Sequence, residues 1–101
     1  MIDLITEAHR FQTFCRNQKW EFCFIGGLAV QHWGEPRLTR DIDVTVLTGF
    51  GREELVVRAI LKSYQPRIEE ASEFALEHRV LLVRTNSGIG IDISLGAIPF
   101  E

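Results

Sequence analysis

Asp41 and Asp43 flank Ile42 in the run Asp41-Ile42-Asp43-Val44-Thr45-Val46-Leu47, where apolar and polar side chains alternate. β-Branched residues dominate the run, so it reads as a strand. Side chains two apart on a strand share a face, with Cα atoms about 6.6 Å apart, and two carboxylates so placed repel unless a cation lies between them. Oxygen donors in this arrangement suit Mg²⁺, and two such ions about 4 Å apart are the usual apparatus for phosphoryl transfer. An acidic pair on a solvated strand edge has the same spacing. A third carboxylate, Asp92, sits inside Ile89-Gly90-Ile91-Asp92-Ile93-Ser94-Leu95. There it shares a face with Gly90 and Ser94, opposite the isoleucines, and an aspartate buried unpaired in so apolar a strand would be costly. Set beside the Asp41–Asp43 strand, it would complete a three-carboxylate metal site or act as base toward an attacking hydroxyl. Its plain alternative is a surface aspartate on an exposed hairpin.

A second feature is Ile25-Gly26-Gly27, at a change of period from strand to helix. Paired glycines let the backbone approach a ligand, and a helix that follows aims free N–H groups at an anion. A triphosphate tail fits, as does an ordinary tight turn. Thirteen residues separate Gly27 from Asp41, enough for one short helix and a return loop. Arg37 and Arg40 precede the acidic strand and could offset phosphate charge. Arg40 points away from the carboxylate face, so Arg37 is the better candidate. Thr39 lies on the same face as Asp41 if the strand begins early.

The elements that must position these groups can be read from hydrophobic period. Leu4, Ala8, Phe11 and Cys15 mark one face of a helix over 2–18, widened by Ile5 and Phe14. Trp20, Phe22 and Phe24 alternate with Glu21, Cys23 and Ile25 as a strand, and an aromatic stripe of this kind is more often core than a base-stacking platform. A short helix is expected over 28–33, ended by Gly34 and Pro36. A Gly49-Phe50-Gly51 turn leads to a helix over 52–63 with Leu55, Val56, Ala59 and Ile60 inward, closed by Pro66. Ile68, Ala71, Phe74 and Ala75 fit a short helix within 67–78. Strands over 80–85 and 89–95 flank Asn86-Ser87-Gly88, a hairpin turn. The order predicts an α/β or α+β domain: a mixed sheet flanked by helices.

Composition limits the function classes. A chain of 101 residues, 46% hydrophobic and 25% charged, fits one domain and not a disordered tail. No apolar run approaches the ~20 residues of a membrane span, and Met1-Ile2-Asp3-Leu4 lacks the pattern of a signal peptide. With two cysteines, Cys15 and Cys23, no disulfide scaffold is expected, and a cytoplasmic setting follows. A net charge of −3 confines any polyanion to a local site. His9, His32 and His78 lack ligand spacing, which argues against zinc. Glu69, Glu70 and Glu73 read as a solvated helical face.

Taken together, Ile25-Gly26-Gly27, then Asp41-Ile42-Asp43-Val44, then Ile91-Asp92-Ile93 resemble the signature of the DNA polymerase beta-like nucleotidyltransferase superfamily. The wider strings, Gly-Gly-Leu-Ala-Val from Gly26 and Arg37-Leu38-Thr39-Arg40-Asp41-Ile42-Asp43, are similar to its AbiEii-type (abortive-infection toxin) and minimal nucleotidyltransferase branch. The resemblance implies a nucleotidyltransferase-type fold over residues 1–101. Gly26 and Gly27 would hold the phosphates of an NTP, with Arg37 and Thr39 at positions common in that branch. Asp41 and Asp43 would bind two Mg²⁺ ions, and Asp92 would bind one and activate the acceptor hydroxyl. The implied reaction moves an NMP from an NTP to a hydroxyl of protein, RNA or a small molecule, within a toxin–antitoxin or abortive-infection system. Such transfer relies on positioning and charge neutralisation more than on covalent catalysis. Members of the branch continue past the third acidic strand into a helical substrate-binding region, whereas Gly96-Ala97-Ile98-Pro99-Phe100-Glu101 alone follow here. The single domain is therefore expected to lack that region.

A competing reading of another class is a non-catalytic module that pairs with a cognate toxin or antitoxin protein. Intact acids at all three positions count against it. A metal-dependent phosphoesterase or glycosyltransferase using Asp-x-Asp leaves Gly26-Gly27 without a role.

Overall fold

A computed structural model describes residues 4–24, 41–49 and 51–96. Helix α1 (Leu4–Gln18) buries Leu4, Glu7, Ala8, Phe11 and Cys15, an interval of three and four that keeps one face inward. Ile5 is 55% exposed and does not widen that face; it lies about 100° round the helix from Leu4. The helix ends where Lys19 takes a left-handed φ of 64°, and the Trp20 N–H turns back to the Cys15 carbonyl at 3.0 Å.

The strands follow as β1 (Glu21–Phe24) and β2 (Asp41–Leu47), then helix α2 (Glu53–Leu61) and a two-residue strand, β3 (Gln65–Pro66). Helix α3 (Ala71–His78), β4 (Val80–Arg84) and β5 (Gly90–Gly96) complete the described chain. The five strands form one mixed sheet in the order β1-β2-β5-β4-β3. Its central pair, β2 and β5, is parallel, while β1–β2, β4–β5 and β3–β4 are antiparallel. A parallel pair needs a long crossover, and α2, β3, α3 and β4 fill it. The β4–β5 connection is the tight hairpin turn expected, closed by the Thr85 N–H on the Ile89 carbonyl at 2.8 Å, with Gly88 at φ 90°.

Strand alternation decides what faces the helices. Ile42, Val44 and Val46 of β2, Ile91, Ile93 and Leu95 of β5, and Leu81 and Val83 of β4 are buried in one cluster. The same cluster takes in the inner faces of α1, α2 (Val56, Val57, Ile60) and α3 (Ala71, Ala75). Each fully buried aliphatic contributes roughly 1.5–3 kcal/mol, so this layer supplies most of the drive to fold. Trp20, Phe22 and Phe24, each half-buried, pack against it. Cys15 is fully buried and its thiol is pushed up to about 12 by that burial, leaving it inert; Cys23 is exposed on β1.

Three further expectations need correction. On α2 the inward residues are Val56, Val57 and Ile60; Leu55 is 57% exposed and its place is taken by Val57. The segment 67–78 is helical only from Ala71, and Ile68 lies exposed before it. Pro66, expected only to close a helix, belongs to edge strand β3, where its missing N–H costs no ladder bond. The helix expected over 28–33 lies outside the described residues. Among the described residues no helix is long and apolar enough to cross a membrane.

Candidate active site

Parallel register joins the three aspartates. Asp41 pairs with Gly90, Ile42 with Ile91 and Asp43 with Asp92. Because Ile42 and Ile91 point into the core, the pleat sends Asp41, Asp43, Gly90 and Asp92 to the opposite face. Asp43 and Asp92 thus stand side by side on strands about 4.8 Å apart, with Asp41 one pleat away. Asp92 therefore lies where the spacing argument would place it.

The electrostatics follow from this crowding. The Asp43 carboxyl is held above its usual range, first by partial burial, then by the charges of Asp92 and Asp41 and a hydrogen bond shared with Asp92. Arg67 opposes that rise. Carboxylates so close repel one another, and the face calls for positive charge among them.

Arg67 supplies part of it. Its N–H donates to the Leu82 carbonyl at 3.0 Å, extending the β3–β4 ladder by one residue. Leu82 pairs with Asp92, and Asp92 with Asp43, so one row crosses the sheet from Arg67 to Asp43. The guanidinium reaches over Leu82: Nη2 donates to Asp92 Oδ1, and Nη1 lies 3.6 Å from Asp41 Oδ2. Its Nε is buried without an acceptor among the described residues. Arg67 did not stand out in the sequence, because its role depends on a two-residue edge strand 25 positions from Asp92. A lone arginine after Pro66 signals nothing until that edge is recognised.

Gly90 is the other residue the sequence reading passed over. A Cβ there would lie 2.5 Å from Asp41 Oδ1 and 2.6 Å from Arg67 Nη1. Only a glycine leaves room for the carboxylate and guanidinium to meet above the strand.

The donor set has the chemistry of a site for a hard divalent cation: carboxylate oxygens from two strands, a glycine-lined cradle and a positive group already lodged among them. As the side chains stand, no group of three or more His, Cys, Asp or Glu among the described residues is arranged to hold a metal ion. Arg67 occupies the ground between Asp41 and Asp92 instead. Gly26, Gly27, Arg37 and Thr39 lie outside the described residues. His78 sits beside Glu77 and the ring of Phe74, and Glu69, Glu70 and Glu73 are exposed, away from any carboxylate cluster of this kind.

A second polar group lies on the helical side. Glu7 of α1 is 3% exposed and accepts a hydrogen bond from Ser87 at 2.8 Å, with Arg10 at 3.8 Å. Ser87 in turn shares a hydrogen bond with Thr85 at 2.9 Å. These contacts tie α1 to the hairpin turn and give Glu7 a structural part. The chain matches no family model, no curated protein and no solved structure.

Proposed function

We propose that the chain is a Mg²⁺-dependent nucleotidyltransferase domain that moves an NMP from an NTP onto a hydroxyl acceptor. The observation that carries the reading is the register Asp43↔Asp92 on parallel β2 and β5, which puts three carboxylates on one face beside a cradle glycine. That arrangement agrees with the polymerase beta-like signature read from the sequence. Asp41, Asp43 and Asp92 are the ligands for divalent ions, and Asp92 is also the base toward the acceptor hydroxyl. Bound Mg²⁺ supplies charge neutralisation for the triphosphate and for the developing negative charge. In the reaction an acceptor oxygen bonds to the α-phosphorus, the bond to pyrophosphate breaks, and the hydroxyl proton passes to Asp92. Gly26 and Gly27 are proposed to hold the phosphates, assisted by Arg37 and Thr39.

The test is transfer of α-labelled NTP to acceptors in the presence of Mg²⁺. Asp43→Asn keeps the shape of the side chain and removes its charge, and transfer should fall by about two to three orders of magnitude with the circular dichroism unchanged. Equal labelling by the variant would refute the metal assignment.

One observation favours a second reading. Arg67 already neutralises part of the cluster, as it would in a non-catalytic module that pairs with a toxin or antitoxin protein. Calorimetry with NTP and Mg²⁺ separates the two, since the module shows no nucleotide heat but retains a stoichiometric protein partner.

A further inference from the structure

Arg67 is anchored by its backbone, and its tip is held by two carboxylates. The β3–β4 ladder fixes its Cα at the sheet edge, and among the described residues its side chain forms ion pairs with two carboxylates. Those partners are 51% and 37% exposed, and ion pairs so open to water are weak. β3 is two residues long and forms the outer strand, so nothing among the described strands lies beyond it. One guanidinium offsets one of three negative charges, and the buried Nε leaves part of its own donor capacity unused.

We infer that Arg67 is an exchangeable counter-ion: its guanidinium holds Asp41 and Asp92 in the metal-free protein, and a divalent cation must displace it to reach those oxygens. The inference rests on the metal-binding reading of the cluster. It explains why the side chains are not arranged around a metal although the donors are gathered. A guanidinium has the fork to span two carboxylates but binds them through hydrogen bonds alone. A divalent ion bonds the oxygens directly and carries twice the charge, so exchange is favourable once dehydration is met. Arg67 thus keeps mutually repelling carboxylates assembled before the metal arrives, and in doing so weakens the metal's apparent affinity.

The experiment is Mn²⁺ binding followed by electron paramagnetic resonance, without nucleotide, on wild type, Arg67→Met and Arg67→Lys, each checked for folding by circular dichroism. Arg67→Met should bind Mn²⁺ roughly five- to tenfold more tightly than wild type, the size of an ordinary coupling between two ligands. Arg67→Lys keeps the charge and loses the fork, so it should tighten binding by a smaller factor. That variant carries the test should Arg67→Met fail to fold. With Asp92→Asn in the background, the effect of Arg67→Met should shrink, because the principal partner is gone. Equal affinity in wild type and the Arg67 variants overturns the counter-ion role and leaves the metal site standing. Tighter binding in wild type overturns it too, making Arg67 a support for the metal. Absence of Mn²⁺ binding in all folded variants sinks the metal-binding reading itself.

Discussion

The smallest side chain in the site sets its strictest geometric demand. A Cβ at position 90 would press on Asp41 Oδ1 and Arg67 Nη1, both at the far ends of side chains that can turn away. The backbone at Gly90 is extended β-strand, so an alanine there carries no left-handed strain. Gly90→Ala should therefore leave the fold nearly untouched, within about 1 kcal/mol by urea denaturation. It should still push the Asp41 carboxylate away from Asp43 and Asp92 and weaken Mn²⁺ binding by about tenfold, the lost donor position outweighing the release of Arg67 as a competitor. A large loss of stability with unchanged metal affinity would mean that Gly90 serves packing alone. Asp43 differs in kind: partial burial and then its acidic neighbours raise its proton affinity, so replacing it relieves repulsion while removing a ligand.

Elements carry the information that single residues lack, and here the sequence was legible in part. Alternation in 41–47 and 89–95 marked both strands of the site within a residue, because one face of each is buried against helices and the other holds polar groups. Their parallel pairing was not readable, since period fixes a strand's faces but not its neighbour. Arg67 was hidden for a related reason: a two-residue strand has too little alternation to show, and Pro66 suggests a break before it suggests an edge. The α2 face was misread because Leu55, Val56 and Val57 are consecutive apolar residues, and only packing decides which two turn inward. Packing of α2 is also fixed at its N-terminus, where Glu53 bonds Arg79, the residue that ends α3 in a left-handed turn at φ 60°. The Arg79 carbonyl accepts the Leu95 N–H at 2.9 Å, so this one arginine links α2, α3 and β5. The hydrogen bond donated by the Arg79 guanidinium, with help from backbone N–H groups, holds the Glu53 carboxyl below its ordinary value of 4.5. An acid so lowered contributes stability above its unfolded pKa and loses it as pH falls through the folded one. Glu53→Gln should therefore cost about 1 kcal/mol at about pH 7, and the gap from wild type should narrow as pH falls below the ordinary value of 4.5 toward the lowered one. A gap that stays constant across that range in urea titrations would assign the loss to shape and not to charge.

At the scale of the molecule, the site and the core are two faces of the same strands, so neither can form without the other. Asp41, Asp43 and Asp92 meet only when β5 docks in register on β2, about fifty residues earlier in the chain. Such a pairing involves a large loop-closure entropy and is stabilised by the apolar face behind it. Ile93 sits one residue from Asp92 on that face, fully buried between Leu81 of β4 and Val44 of β2. Ile93→Ala leaves every charged group in place but should cost about 2–5 kcal/mol, a large share of the 5–15 kcal/mol that holds a typical domain together. With a urea slope of about 1–1.5 kcal/mol/M for a chain of this size, the midpoint should fall by about 3 M while the slope stays the same. If the pairing of β2 with β5 is one cooperative unit with the helical layer, tryptophan fluorescence and far-ultraviolet circular dichroism should report coincident transitions in both proteins. Mn²⁺ binding to Ile93→Ala should then track the folded fraction alone and match wild type in the absence of urea. Weaker binding in the fully folded variant, or a fluorescence transition that precedes loss of secondary structure, would show the carboxylate face loosening independently of the core and would break the link argued between them.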